Sequence, residues 1–385
     1  MSLRRGPVAT VLALALTFPL GAQQMNDVDY QAIARQLVRQ MALTKGERVF
    51  FMADPTLGTE LVPVLAREVR AWGGEYLGAL ATARGAPEEW ATDFTRSLER
   101  ASGSALVARL HEVDLGVMLP GAAATQPAYV AMQDVLRSGH GRTIHFHWAG
   151  AYGAGGALLA MTAASSALYQ RALLETDYAA LSARQRTFER AMRGSTVRVT
   201  TPAGTDLSFR IGARPVTRQD GDASLARARS ARNLVDREVE LPAGAVRVAP
   251  LESTVEGTIA FPDAVWGGSA VKGLVMHFSR GRLTSYDVAS GREGVERELA
   301  GGGDAARAFR EFALGLNPLL AIPDGERWIP SYGYGAGVVR LSLGDNTELG
   351  GAVGGEYVRW NFFPDATVRV GDVEWVRGGK LVARE

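Results

Sequence analysis

The sequence of 385 residues contains no cysteine. Disulfide bonds, thiol nucleophiles and cysteine-ligated zinc are therefore excluded. A strong charge imbalance is also missing, because the formal net charge is +1 at pH 7. Phosphate-backbone binding needs a concentrated basic face, so nucleic acid is not expected as an obligate partner. The chain is longer than the roughly 250–300 residues at which single cores stop growing, which predicts two domains.

Familiar catalytic and nucleotide-binding fingerprints are missing as well. No Gly-x-Ser-x-Gly elbow supports a serine nucleophile, and the histidines lack an adjacent acidic signature. The glycine-rich residues 150–156 match neither the P-loop nor the dinucleotide pattern. We therefore interpret this stretch as a flexible turn rather than as a phosphate site.

The sequence begins with one short apolar run and its flanking charges. Two arginines precede an apolar run over residues 8–20, and a small residue follows at Ala22. This pattern predicts a signal peptide over residues 1–22, in a run too short for a comfortable transmembrane helix. We expect an exported protein, periplasmic or secreted. Leu20 is a poor residue for the cleavage site, so an uncleaved membrane anchor remains the alternative.

Residues 23–193 predict an α/β domain with a small parallel sheet. Short apolar runs typical of buried parallel strands alternate with amphipathic helical patterns, such as the one over residues 59–72. The predicted strands are residues 48–53, 76–80, 114–120 and 143–146.

Residues 194–385 predict a strand-rich α+β domain. Apolar and polar residues alternate over residues 196–201, which is typical of a strand. Turn-forming residues follow at 202–206 and a second strand pattern at 207–211, so the segment predicts a β-hairpin. Further short strands follow, and we expect a helix from Asp304 to about Phe312.

Candidate functional side chains occur in both domains. Glu311 opens a stretch that ends in a turn, and Arg340 and Arg359 lie on two later predicted strands with apolar neighbours. One carboxylate and two arginines predict a shared site. His145 and His147 lie two apart on a strand, so both imidazoles point to the same face and form a weak candidate metal pair.

Five segments carry a resemblance to a known family. In chain order, residues 197–207, 241–250 with 255–258, 311–318, 337–344 and 357–362 resemble the signatures of the thermophilic metalloaminopeptidases, the aminopeptidase T and aminopeptidase S group. The resemblance is strong from about residue 190 onward. It implies a two-domain, homodimeric protein whose C-terminal domain holds two divalent ions, such as zinc, cobalt or manganese. It also implies metal-dependent removal of N-terminal residues from peptides.

Most of the implied metal-ligand positions carry residues that cannot bind a metal. The resemblance places the ligand positions at Ala245, Glu311, Arg340, Arg359 and Asn361. Glu311 retains its carboxylate, whereas a methyl group has no lone pair, and a guanidinium has none and does not deprotonate in proteins. We therefore expect no metal cofactor at these positions, and expect Arg340 and Arg359 to neutralise Glu311.

Three functions remain open at this point. The first is a degenerate aminopeptidase-like protein that binds a peptide or a small carboxylate, with Trp360 or Tyr334 lining the cleft. The second is an active aminopeptidase that uses other ligands with Glu311, drawn from Glu252, Glu256 and His277. The third is a ring-opening dioxygenase-like relative, but iron also needs histidine and carboxylate ligands, so this function fails at the same positions.

Overall fold

The computed structural model describes residues 28–146, 148 and 150–382. The predicted signal peptide and His147 lie outside the described residues. The helices and strands of the first half are α1 (Tyr30–Met41), β1 (Arg48–Ala53), α2 (Pro55–Gly58), α3 (Leu61–Ala71), β2 (Glu75–Ala81), α4 (Asp93–Arg100), α5 (Gly103–Leu110), β3 (Leu115–Met118), α6 (Pro127–Arg137), β4 (Arg142–Phe146), β5 (Ala151–Tyr152), β6 (Leu158–Leu159), α7 (Ala163–Glu175) and α8 (Tyr178–Arg193).

The second half is mostly strands. Its elements are β7 (Val197–Thr200), β8 (Asp206–Phe209), β9 (Thr217–Arg218), α9 (Leu225–Arg229), β10 (Glu238–Leu241), β11 (Ala245–Val248), β12 (Glu256–Ala260), β13 (Ala264–Trp266), β14 (Ser269–Val271), β15 (Val275–Ser279), β16 (Arg282–Asp287), α10 (Arg292–Gly301), α11 (Gly303–Ala306), β17 (Phe309–Gly315), β18 (Ile329–Pro330), β19 (Val339–Gly344), β20 (Val358–Phe363), β21 (Thr367–Val370), β22 (Val373–Arg377) and β23 (Lys380–Leu381).

The first sheet is parallel and has the strand order β10-β4-β3-β1-β2. Its central strands are buried on both faces, as parallel strands covered by helices must be. The predicted α/β architecture with a small parallel sheet is therefore confirmed. Strand β10 comes from beyond the predicted boundary at residue 194 and completes this sheet from the second half. The division into two domains stays a prediction.

Two antiparallel sheets form most of the second half, which confirms its strand-rich character. One has the order β20-β19-β17-β11-β9, and the other has the order β16-β15-β12-β8-β7-β21-β22-β23. The hairpin β7–β8 pairs Val197 with Phe209 and Thr200 with Asp206, in agreement with the sequence prediction. Buried side chains from both halves belong to one hydrophobic cluster.

The helix predicted from Asp304 to about Phe312 is wrong over most of its length. The helical part, α11, ends at Ala306, and Phe309 begins strand β17. Every residue of β17 is buried, because the strand lies between β11 and β19 with both faces covered. Tertiary pairing has overridden the local helical pattern. Glu311 is therefore on the central strand of a sheet rather than at the end of a helix.

The described residues contain no helix that is both long enough and apolar enough to cross a membrane.

A buried ion pair between Arg142 and Glu47 joins strand β4 of the parallel sheet to the turn before β1. Arg142, at the start of β4, is 1% exposed and donates to both carboxylate oxygens of Glu47, at 2.6 and 3.0 Å. Its other hydrogen bonds go to the carbonyl oxygens of Ala223 and Met41, at 2.5 and 3.2 Å. One guanidinium thus joins β4, the turn before β1 and a loop of the second half.

Replacing Arg142 by Met should destabilise the fold by about 3–5 kcal/mol, because Glu47 and two carbonyl groups would lose their buried partner. Urea unfolding at neutral pH measures this difference. The control is Arg137→Met, which removes a half-exposed pair with Asp134 and should change the free energy of unfolding by at most about 0.5 kcal/mol. Equal losses in the two variants would contradict the assigned role of Arg142.

Candidate functional site

The antiparallel sheet β20-β19-β17-β11-β9 brings Glu311 and two arginines to one face. Ala313 of β17 is paired with Arg247 of β11 on one side and with Arg340 of β19 on the other. Side chains two residues apart in a strand point to the same face, and so do directly paired residues. Glu311, two residues before Ala313, therefore lies between the two arginines.

The carboxylate of Glu311 is fully buried and is held by three guanidinium groups. Arg247 donates from Nε to Oε1 at 2.6 Å and from Nη2 to Oε2 at 3.3 Å. Arg340 donates from Nη2 to Oε1 at 2.7 Å. Arg310 places its Nε 3.5 Å from Oε2. The pairing of β17 with β19 shifts register between Phe309 and Glu311, and such a bulge redirects the extra side chain toward the cluster.

Two further carboxylates complete this cluster, which we call the arginine–glutamate cluster (Glu240, Arg247, Arg310, Glu311, Arg340 and Glu348). Arg310 donates to Oε1 of Glu348, and Nη2 of Arg247 lies 3.4 Å from the same oxygen. Glu240 of β10 lies 3.6 Å from Arg247. Three guanidinium groups thus face three carboxylates. The cluster is formally neutral, which is the condition under which buried charges are tolerated.

Burial opposes the charge on Glu311, but Arg247, Arg340 and Arg310 outweigh it and hold the pKa of Glu311 well below its usual range. The pKa of Glu238, which is on the same strand as Glu240, is shifted in the opposite direction from that of Glu311. Burial, with the nearby charge of Glu348, raises the pKa of Glu238 to about 8, although Gln133 donates to it at 3.0 Å. The protonated form of Glu238 is therefore favoured more strongly than that of an ordinary glutamate.

The residues around Glu311 do not fit a divalent ion. A metal site needs several lone-pair donors, and a guanidinium offers none. Both oxygens of Glu311 already accept hydrogen bonds from Arg247, and Arg340 adds a second cation beside Oε1. A divalent ion there would be repelled by these fixed positive charges. Within the described part of the chain, no three histidine, aspartate or glutamate side chains are grouped as a metal would require.

The structure separates Arg359 and Asn361 from Glu311, so the expectation that Arg359 neutralises Glu311 is wrong. Arg359 instead binds Glu298 of α10 at 2.8 Å, and its guanidinium carbon lies 3.6 Å from the ring centre of Trp266. Asn361 accepts from Nε of Arg359 at 3.4 Å.

The physical reason is strand alternation. Asn361 and Arg359 pair with Leu341 and Leu343, whose side chains lie on the sheet face opposite to Arg340. Ala245 lies on the same face as Arg247 and is buried, but its methyl group only packs.

His145 has both ring nitrogens in hydrogen bonds. Nδ1 lies 3.2 Å from the hydroxyl of Tyr129, and Nε2 lies 3.1 Å from the hydroxyl of Thr143. The side chain is 4% exposed. A histidine engaged in this way has no free nitrogen for a metal, so the structure gives no support to the pair with His147. His147 itself lies outside the described residues.

Aromatic rings and unpartnered donors lie beside the cluster. The guanidinium carbon of Arg340 lies 5.0 Å from the ring centre of Trp360, which is 5.2 Å from that of Tyr332. Among the described residues, Nε of Arg340, the hydroxyl of Ser342 and Nε1 of Trp360 are buried without a hydrogen-bond partner. Ser342 is paired directly with Trp360, so the three donors share one face.

Sequence reasoning missed Arg247, Arg310, Glu240 and Glu348. A signal for Arg247 was present, because it lies two residues after Ala245 and so shares its sheet face. Glu240 and Arg310 carried no such signal. Glu240 lies on β10, which is in the parallel sheet, and Arg310 lies at the bulge in the pairing of β17 with β19. Tyr334 and Trp360, predicted as exposed wall residues, are buried and half-buried respectively, and both lie near Arg340.

The alternative ligands Glu252, Glu256 and His277 have partners elsewhere. Glu252 pairs with Arg214 and accepts from the backbone N–H of Ala352 at 2.8 Å. Glu256 accepts from the backbone N–H of Arg280 at 2.9 Å, and His277 lies 3.4 Å from Asp287. The structure does not bring these groups together with Glu311.

The parallel sheet, the two antiparallel sheets and their order along the chain define an aminopeptidase T-like fold. AmpT from Thermus thermophilus superposes with a TM-score of 0.60 at 17% sequence identity, over 92% of this chain and 99% of that one. The 2,5-dihydroxypyridine dioxygenase from Pseudomonas putida superposes with a TM-score of 0.63 at 15% identity, over 92% of this chain and 97% of that one. No family model and no curated protein matches the sequence.

Replacing Glu311 by Gln should cost about 3–5 kcal/mol of folding stability at neutral pH, because three buried cations would lose their central anion. The pKa of Glu311 is lowered on folding, so its contribution is present above the unfolded-state pKa of about 4.3 and is lost as pH falls below it. The gap between the native protein and the variant should therefore shrink from about pH 5 to pH 3. Urea unfolding across this range measures it.

The matched control is Glu326→Gln, which alters an exposed side chain. It should leave stability within about 0.5 kcal/mol of the native protein at each pH. A Glu311→Gln variant as stable as this control at neutral pH would show that the cluster does not hold the fold.

Proposed function

We propose that this protein is a metal-independent binding protein built on an aminopeptidase T-like fold, and that it binds the carboxylate of a peptide or of a small organic acid. The observation that carries the proposal is that three guanidinium groups surround the buried carboxylate of Glu311. Arginines occupy the space where the resemblance to metalloaminopeptidases implies metal ligands, so the fold is retained while the hydrolytic centre is lost.

The ligand chemistry follows from the three unpartnered donors. Buried polar groups are nearly always hydrogen-bonded, so unpartnered ones indicate a missing acceptor. The donors are Nε of Arg340, the hydroxyl of Ser342 and Nε1 of Trp360. A carboxylate is an acceptor only and can take hydrogen bonds on both oxygens. Arg340 supplies the charge that makes such a bond stronger than a neutral one.

The walls around these donors suit the rest of the ligand. The ring centre of Tyr332 lies 5.2 Å from those of both Tyr152 and Trp360. Tyr152 is on the short strand β5 of the first half, which pairs with strand β18 of the second half. Aromatic faces of this kind bind apolar or planar groups. We propose an acid with an apolar or aromatic body as the ligand.

Location and assembly belong to the same proposal. The predicted signal peptide favours an exported protein that acts in the periplasm or outside the cell. The resemblance to aminopeptidase T favours a homodimer.

Added metal should not produce aminopeptidase activity in the purified protein. With zinc, cobalt or manganese present, hydrolysis of leucyl and other aminoacyl substrates should stay at the no-enzyme rate, because Glu311 is already neutralised by arginine. Treatment with a chelator should leave the melting temperature unchanged. Hydrolysis that depends on added metal and disappears in Glu311→Ala would contradict the proposal.

Replacing Trp360 by Phe should weaken carboxylate binding about tenfold, because the ring remains but the Nε1 donor is removed. A panel of hippurate, phenylacetate and short peptides, measured by calorimetry, provides the ligands. The control is Trp72→Phe, which changes a 49% exposed indole on the other half of the chain and should not alter binding. If no acid of the panel binds the native protein, or if both variants bind equally well, the carboxylate site is refuted.

A further inference from the structure

A polar pocket that contains none of the residues of the arginine–glutamate cluster lies at the amino ends of strands β3 and β4. It is open on one side and has a volume of about 360 Å³. Asp114 and His140 lie immediately before these strands, and α9 covers them from the second half of the chain. The lining residues are Asp114, Gly139, His140, Gly141, Leu225, Ala228, Arg229 and Arg237.

Two cations, Arg229 and Arg237, line this pocket together with one acidic residue, Asp114. Neither Arg229 nor Arg237 forms an ion pair with any residue that the structure describes. Arg237 donates from Nη1 to the carbonyl oxygen of Gly141 at 2.9 Å, which fixes its guanidinium in the wall. Its neighbour Asp236 is engaged by Arg232 at 3.1 Å. Burial lowers the pKa of Arg237, and the negative charge of Asp236 compensates for this loss of water only in part.

His140 adds a third donor. Its Nε2 atom is buried and has no hydrogen-bond partner among the described residues. The imidazole stacks on that of His111, with ring centres 4.2 Å apart and planes 14° from parallel, so the ring cannot turn freely. Gly139 and Gly141, with φ of 89° and 64°, form the tight loop that holds His140 at the edge of the pocket.

We propose that this pocket binds a small phosphate monoester. The two guanidinium groups outnumber the single carboxylate of Asp114, so the lining attracts an anion, and arginine is the side chain best matched to phosphate oxygens. When protonated at Nε2, His140 donates to a third oxygen. A pocket of this size is at the lower end of the range for small-molecule sites, about 300–1,000 Å³, and is larger than inorganic phosphate requires.

Asp114 restricts the organic part of the ligand. One of its carboxylate oxygens accepts from the backbone N–H of Arg48 at 2.8 Å, and the residue also lines the pocket. A carboxylate there accepts a hydroxyl group and repels a second anionic group. The pocket therefore selects a phosphorylated alcohol with a free hydroxyl group, and it discriminates against diphosphates and polycarboxylates.

Calorimetry of the full chain with glycerol 3-phosphate, inorganic phosphate, pyrophosphate and citrate tests this proposal. Glycerol 3-phosphate should bind most tightly and inorganic phosphate more weakly, while pyrophosphate and citrate should bind least. Arg237→Gln should weaken binding of glycerol 3-phosphate about tenfold or more, since a charge-assisted hydrogen bond is removed. Arg229→Gln, at an exposed position that leaves the fold untouched, should also weaken it.

The matched control is Arg67→Gln, which removes one exposed positive charge from α3, away from the pocket residues. It should bind glycerol 3-phosphate as the native protein does. The proposal is overturned if glycerol 3-phosphate does not bind at millimolar concentration, or if Arg67→Gln weakens binding as much as Arg229→Gln. Tighter binding of citrate or pyrophosphate than of glycerol 3-phosphate would also overturn it. These measurements do not involve Arg340 or Trp360, so they stand or fall independently of the proposed carboxylate site.

Discussion

The neutralisation of one buried carboxylate by arginine is the constraint on which the rest of this structure depends. Glu311 is on the central strand of a sheet with no access to water, and an isolated ion there would be too costly to keep. Its neighbours on both sides, Arg247 and Arg340, supply the compensating charge. Three strands, β11, β17 and β19, are therefore held in one register by charge as well as by backbone hydrogen bonds.

The same cluster joins the two halves of the chain. Strand β10 belongs to the parallel sheet, and its Glu240 lies beside Arg247 of the antiparallel sheet. Its other inward residue, Glu238, is bound by Gln133 of α6. A continuous polar layer thus extends from α6 through β10 to Glu311. Arg247 cannot be changed without affecting both sheets.

Sequence patterns predicted the parallel sheet well, because its apolar strands, such as residues 48–53, are short, buried on both faces and separated by amphipathic helices. Sequence patterns predicted only some of the charged residues around Glu311. They indicate Arg340 correctly, but the expectation that Arg359 neutralises Glu311 is wrong, because the pairing of β20 with β19 puts Arg359 on the opposite face of the sheet. The helical pattern of residues 304–312 predicts that Glu311 lies near the end of a helix, and pairing with β11 overrides this pattern.

The fold resembles that of two proteins with which it shares 15% and 17% sequence identity, and the interior around Glu311 is the part on which the proposed function depends. Crystals grown with excess zinc, measured on both sides of the zinc absorption edge, would examine that interior most directly. The account predicts no anomalous peak within coordination distance of Glu311, about 2.2 Å, and guanidinium groups of Arg247 and Arg340 on its oxygens. A zinc peak on the carboxylate of Glu311, with either arginine displaced, would contradict it.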